Sequence, residues 1–312
     1  MTGASGSVGT CLTKLLSENN HQVVAIGRHA PGQLPQGVIH KIIDIQPATN
    51  WEEALNGVDA LVHMADGFNA FEHLAAGASN EAGQERYKAT LNLARAAIRA
   101  GVKNFIYLST IKAMAGSWAK EILNENSPAR PQSLYGQLKL AAEEKIIQLA
   151  TNSATRVISL RFPIVFGARS DGNFTRLLQL ANSGLPLPLS GLKARRSLIS
   201  LTSLSDAIAT SIENTSATAG TYLVQDDAAS LDDLLTVLRA AINRPARLFY
   251  LPEILMGPLV FVPGARNIAT RLLKPLQIDD RLFRDRFSWQ PPVNMKDELK
   301  RAAIIFKSGK YL

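Results

Sequence analysis

The residues of this chain best suited to moving a proton are a tyrosine and a lysine one helical turn apart, Tyr135 and Lys139. Positions i and i+4 share a helix face, so a lysine ammonium there stabilises a neighbouring phenolate and brings a weak acid toward working pH. Taken alone the pair also fits an exposed amphipathic face. Upstream, Ser109-Thr110 closes the apolar run Phe105 to Leu108 and so sets a hydroxyl at the C-terminal end of a predicted strand. There Thr110 can hydrogen-bond and orient the oxygen that gains or loses the proton. At the start of the chain, Thr2-Gly3-Ala4-Ser5-Gly6-Ser7-Val8-Gly9 spaces its glycines G-x-x-G-x-x-G. That spacing lets the backbone turn tightly, approach a pyrophosphate, and open a helix whose N-terminal amides and dipole favour phosphate charge. Arg28 ends the second apolar run, nineteen residues after Gly9. An acid at this point would accept from a ribose 2′-hydroxyl, whereas an arginine pairs with a 2′-phosphate. These pieces describe a pyridine-dinucleotide site beside a proton-transfer pair, with NADP(H) favoured and NAD(H) left open.

The elements that must position them read as a βαβ alternation. Short apolar runs at Val23 to Ile26, Ile39 to Ile45, Ala60 to Val62, Phe105 to Leu108 and Val157 to Phe162 suit strands of a parallel sheet covered on both faces. Between them, 8–16, 51–55, 84–100 and 136–150 read as helices. The fold class is therefore α/β, a doubly wound parallel sheet. Residues 1–170 form a Rossmann-like dinucleotide domain and 171–312 a smaller C-terminal substrate lobe, whose segments can return to the sheet.

Composition bounds the alternatives. A chain of 312 residues, 46% hydrophobic, can bury one large core with a smaller lobe. The single cysteine, Cys11, and five scattered histidines supply no disulfide framework and no metal-ligand spacing. The longest apolar stretch, Ile254 to Val262, falls short of the roughly 20 residues a membrane span needs. No signal peptide is visible, and a cytoplasmic location is expected. The net charge of +8 is dispersed, with no basic helix interleaved with aromatics, so it suits an anionic nucleotide better than nucleic acid.

One feature departs from a complete doubly wound sheet. About five or six strand residues normally precede such a glycine turn, and here only Met1 and Thr2 do. The first strand is largely missing, and the expectation is that the chain given starts late and that a version extended by strand-forming residues is more stable and binds coenzyme more tightly.

These residues resemble the extended branch of the short-chain dehydrogenase/reductase superfamily, which includes nucleotide-sugar epimerases, dehydratases and 4-ketoreductases. The glycine spacing and the 25-residue interval from Thr110 to Tyr135 are of the extended type. Leu160 to Gly167, Gly172-Asn173-Phe174, Arg195 to Ser200, Gly184 to Pro188 and Phe287 to Pro292 are similar to its nucleotide-sugar segments, in particular those of bacterial enzymes handling UDP-sugars for surface polysaccharides. The resemblance implies catalysis by Thr110, Tyr135 and Lys139. It implies coenzyme contacts from Gly3, Ser5, Gly6, Ser7, Val8, Gly9, Arg28, Asp44, Ile45, Ala65, Lys139 and Phe162, and substrate contacts from Thr110, Asn173 and Arg196. Asn173 also suits a helix cap, and Arg195 a solvated neighbour. Two positions depart from the pattern: Ala65-Asp66-Gly67 replaces an alanine-rich turn, and Arg86 stands where an asparagine precedes Thr90 by four residues. A 4-ketoreductase reading comes first, a 4-epimerase with bound NAD second, and a non-catalytic dinucleotide sensor or scaffold third. Ile111 and Lys112 replace the carboxylates a dehydratase needs. The reading also allows a homodimer.

Overall fold

In a computed structural model, the structure describes residues 1–28, 34–65, 78–168, 173–250 and 274–309. Its first half alternates α1 (Ser7–Glu18), β1 (Val24–Gly27), β2 (Ile39–Ile42), α2 (Glu52–Leu55), β3 (Ala60–His63), α3 (Ala78–Arg99), β4 (Asn104–Leu108), α4 (Leu134–Ala150) and β5 (Arg156–Arg161). The second half adds β6 (Ile164–Phe166), α5 (Asn173–Ser183), β7 (Leu187–Ser190), β8 (Arg195–Ser200), α6 (Leu201–Glu213), β9 (Gly220–Leu223), β10 (Asp227–Ser230), α7 (Leu231–Ala241), β11 (Leu248–Tyr250), α8 (Arg281–Phe287) and α9 (Met295–Ser308).

The parallel main sheet runs β2-β1 and β3-β4-β5-β9. Between β1 and β3 lies only the start of the chain. Thr2 bridges Ile26 on one side and His63 on the other, both in parallel register. Thr2 N donates to Val62 O at 2.9 Å, Gly3 N to Ile26 O at 3.1 Å, and Ile26 N to Met1 O at 2.8 Å. Met1 to Gly3 thus pair with both neighbouring strands and aim the glycine turn.

Strand alternation divides two cores. On β4, Ile106 and Leu108 join Leu12, Ile158, Leu160, Leu204 and Phe283 on one face, while Phe105 and Tyr107 join Trp51, Leu93, Ile146 and Val157 on the other. Both faces being buried explains why β4 reads as a continuous apolar run. Past residue 171, β9 pairs with β5 and α6 packs on α1, so these segments belong to the main sheet layer. The remaining second-half strands form a sheet ordered β10-β8-β6 and the pair β11-β7, packed with α5, α7 and α9 around Phe166, Phe174, Leu198 and Leu235.

Two boundaries differ from the sequence expectation. β2 stops at Ile42. Beyond it a polar turn takes over: Thr49 Oγ1 donates to Asp44 O and accepts from Gln46 N, each at 2.8 Å. Helix α3 begins at Ala78, earlier than its apolar periodicity suggested. Asp66, Gly67, Gly172 and the run Ile254 to Val262 lie outside the described residues.

His63 ties the short first strand to the helix layer. Its Nδ1 meets Thr2 Oγ1 at 2.8 Å, its Nε2 meets Thr90 Oγ1 at 3.0 Å, and its ring stacks on Tyr107 with centroids 5.9 Å apart. Burial, and then the Lys139 charge, pushes this imidazole down to about 3. An unfolded chain binds that proton near pH 6.5, the folded chain only near 3, so this group's contribution to stability is complete above about pH 6.5 and declines as the pH falls toward 3. The expected slope from this one group is up to about 1.4 kcal/mol per pH unit. Urea unfolding at pH 7 and pH 4 should therefore show a smaller loss of stability for His63→Leu than for the parent chain, even though the variant is less stable at pH 7. An equal loss would mean that His63 carries its proton in the folded state.

Candidate active site

The glycine turn is shaped by contacts that no larger residue permits. Gly3 has φ +74° and Gly9 lies so close to the preceding turn that a Cβ would sit 2.2 Å from Gly3 O and 2.7 Å from Ala4 Cα. This locks α1 against the end of the first strand. Gly6 N-caps α1 without a side-chain hydrogen bond, and the first turn carries no acid. Ser5 and Gly6 are exposed and Ser7 and Val8 half-buried, so the helix N-terminus opens to solvent beside the sheet's C-terminal edge. A turn of this shape fits a dinucleotide pyrophosphate, whose charge the helix N-terminus favours. Ala65, half-buried, borders it: a Cβ on Gly3 would lie 2.9 Å from Ala65 N.

The end of β4 carries the rest. Ser109 N donates to Leu160 O at 2.8 Å and Ile111 N to Phe162 O at 3.0 Å, so β5 and its extension hold the strand end past Leu108. Thr110 caps the short 3₁₀ turn Ile111–Ala113 by accepting from Lys112 N at 3.2 Å. Helix α4 starts under Ser133, whose Oγ accepts from Gly136 N at 3.1 Å. Its first turn lies against the 3₁₀ backbone, because a Cβ on Gly136 would be 2.1 Å from Lys112 O. That approach sets the start of α4, with the half-buried Tyr135 and, one turn on, Lys139, against the turn that Thr110 caps.

Lys139 is 1% exposed. Its Nζ donates to Leu108 O at 2.6 Å and lies 4.6 Å from the centroid of the Tyr107 ring. Burial pushes the ammonium down to about 7, with the Glu143 charge acting in the opposite direction. Glu143, one turn further along α4, receives the Arg161 guanidinium at 2.6 and 2.9 Å and accepts from Ser109 Oγ. The sequence reading missed Gly136, Glu143 and Arg161. Their signals were a glycine in a helix's first turn, an acid four residues after Lys139, and a charge ending an apolar strand.

Beyond the glycine turn, Arg28 and Asp44 are exposed at the ends of β1 and β2, and Ile45 packs inward. Arg86 of α3 feels both: burial and then the Arg28 charge lower its pKa, while Asp44 raises it. Thus Arg86, a departure from the family pattern, belongs to the same charged corner as Arg28. Phe162 is half-buried against the sheet core.

The two substrate candidates other than Thr110 fare differently. Asn173 begins α5, and its side chain lies outside the described residues. Arg196 donates from Nη1 to Lys274 O at 3.0 Å and from Nη2 to Ser117 O at 2.9 Å. Its fork therefore ties the loop after Thr110 to the segment 274–279, which itself pairs with both: Ala119 N donates to Pro275 O at 3.0 Å and Ser197 N to Leu276 O at 2.9 Å. Among the described residues there is no group of three acidic, histidine or cysteine side chains placed to hold a metal, and no helix is long and apolar enough to cross a membrane.

The sequence model of the NAD dependent epimerase/dehydratase family matches residues 1–224. A protein of Vibrio cholerae described as UDP-glucose 4-epimerase is 30% identical over 98% of this chain and 94% of its own length. Among solved structures, UDP-glucuronic acid 4-epimerase from Bacillus cereus, in complex with UDP-glucuronic acid and NAD, superposes with a TM-score of 0.79 at 19% identity, covering 99% of this chain and 98% of that one. MoeE5 in complex with UDP-glucose and NAD gives 0.76 at 20% identity over 99% and 98%. With the glycine turn, the tyrosine and lysine pair and a family match over more than two thirds of its length, this chain belongs to the NAD dependent epimerase/dehydratase family.

Proposed function

We propose that the protein interconverts an alcohol and a ketone at C4 of a UDP-linked hexose, and that it works as a 4-epimerase. The observation that carries the chemistry is the water-shielded Lys139, one helical turn after Tyr135, whose Nζ donates to Leu108 O two residues before Thr110 at the end of β4. The likeness to the Vibrio cholerae protein over nearly the full length of both chains supports the substrate class and the epimerase outcome.

In this reading the Tyr135 phenolate oxygen takes the C4 hydroxyl proton as the alcohol is oxidised, becoming the phenol, and returns it to the carbonyl oxygen as the ketone is reduced. Thr110 donates to the same oxygen and fixes its direction. Lys139, unable to share its charge with water, stabilises the Tyr135 phenolate and holds the nicotinamide ribose. The nicotinamide, when bound, takes up and gives back the hydride. Gly3 to Gly9 hold the pyrophosphate, Asp44 and Ile45 the adenosine end, and Ala65 and Phe162 the walls between. Asn173 and Arg196 are assigned to the UDP side. Arg196 does this from a guanidinium that already clamps two loop carbonyls, so its first contribution is to shape the loop. A role in surface-polysaccharide precursors rests on the sequence resemblance alone.

A second reading, an NADPH-dependent 4-ketoreductase, is favoured by one observation: Arg28 and Arg86 place two guanidiniums at the corner where a 2′-phosphate would lie.

Three measurements test these readings. Incubation with UDP-glucose or UDP-galactose plus NAD should give the other isomer without net change in coenzyme, whereas net consumption of NADPH with a UDP-4-keto sugar would establish the reductase. Tyr135→Phe keeps the ring and removes the proton carrier, so turnover should fall at least ~100-fold while coenzyme still binds, and unchanged turnover contradicts the mechanism. Arg28→Ala should weaken NADPH more than NADH if the arginine meets a 2′-phosphate. Equal weakening of both would make Arg28 a structural residue.

A further inference from the structure

Beneath the candidate site lies a buried ion pair that the proposed chemistry does not use. Glu143 is 2% and Arg161 8% exposed, with Arg161 Nη2 at 2.6 Å and Nε at 2.9 Å from Glu143 Oε2, and Nε at 3.2 Å from Oε1. Such a pair is weak evidence for stability, because well-packed apolar residues in its place are often as stable or more so. Its surroundings suggest another use. Ser109, which donates to Glu143 Oε1, stands between Leu108, whose carbonyl accepts from Lys139, and Thr110. The carboxylate therefore reaches the strand end through Ser109 and lies on the same helix face as Lys139.

We propose that Glu143 is a positioning residue of the reaction: through Ser109 it fixes the strand end that carries Thr110, and through its charge it keeps the proton on Lys139, so that the proton given up at the site leaves Tyr135. This rests on the reading of Tyr135 and Lys139 given above. Among the described residues, Lys139 is faced by Glu143 from its own helix, Tyr107 from β4 and His63 from β3, with Tyr135 acting on Tyr107 and Arg161 of β5 paired to Glu143. Burial drives the Tyr107 phenol well above its ordinary range and the His63 imidazole far below, so neither is charged near neutrality. Among the described residues that face Lys139, Glu143 and its partner Arg161 carry the charge. With the carboxylate removed, Arg161 is uncompensated, and the Tyr135 and Lys139 pair as a whole releases its proton at lower pH. More of that loss then falls on Lys139, which leaves a protonated tyrosine beside a neutral amine, a poor base.

The test is the pH dependence of kcat and KM for UDP-glucose and UDP-galactose in the parent chain, Glu143→Gln, Glu143→Asp, Ser109→Ala and Tyr135→Phe. Glu143→Gln, isosteric and still able to accept from Ser109, should lower kcat about tenfold or more, a fraction of the full acid–base contribution, and move the acidic limb to lower pH by more than about half a unit. KM should change little. Glu143→Asp retains the charge and should keep the limb in place. Ser109→Ala keeps every charge and should lower kcat several-fold, with limb and melting temperature unchanged. A folded Glu143→Gln with parental kcat and limb, or one that loses only melting temperature, overturns the proposal. If Glu143→Gln does not fold, Ser109→Ala decides, and parental kcat there overturns it. An inactive Tyr135→Phe beside an unmoved Glu143→Gln profile refutes this proposal alone, whereas an active Tyr135→Phe refutes the underlying reading and this proposal with it.

Discussion

A lysine ammonium withdrawn from water at the C-terminal edge of the sheet is the constraint on which the rest of the site depends. Desolvating a cation is costly unless dipoles and an opposite charge replace the lost hydration. Lys139 receives that replacement from the Leu108 carbonyl, the Tyr107 ring face and the Glu143 carboxylate. Two of these three belong to β4, so the helix that carries Lys139 must sit hard against the end of that strand. Gly136 makes the approach possible by leaving room for the Lys112 carbonyl. The geometry that shelters the ammonium is thus the geometry that sets the first turn of α4, which carries Tyr135, against the 3₁₀ turn that Thr110 caps.

The same demand for close approach recurs at the other end of the coenzyme groove. Gly9 lets α1 touch the glycine turn, and Thr2, held between Ile26 and His63, aims that turn. The second-half segments are joined to the loop after Thr110 in a different way, by cross-strand pairing and by the Arg196 fork. Close helix packing shapes the glycine turn, and threaded backbone hydrogen bonds hold the loop after Thr110.

Much of this was legible in the sequence where one residue type answers to one physical need. The glycine spacing, the apolar runs of β4 and β5 and the i to i+4 relation of Tyr135 and Lys139 are local patterns, and the strands appear close to where those runs lie. The β2 boundary was not legible, because Ile43 and Ile45 continue the apolar pattern while the side chain of Thr49 turns the backbone. Nor was the Glu143 and Arg161 pair, which joins residues 18 apart on different elements and exists only once helix and strand have packed. Arg196 shows the limit from the other side. Its type suits a diphosphate, but its fork meets carbonyls of a loop and a segment 79 and 78 residues away in sequence, which no local pattern encodes.

The central claim, that a sheltered Lys139 charge makes Tyr135 an acid near neutrality, is tested most directly by ultraviolet titration of phenolate in the folded protein, taken as the difference between the parent chain and Tyr135→Phe. The account predicts one tyrosine ionising well below the ordinary value of about 10, absent from the Tyr135→Phe variant and returned toward the ordinary range by Lys139→Met. A difference titration showing Tyr135 ionising at or above the ordinary value, unaltered by Lys139→Met, would contradict it.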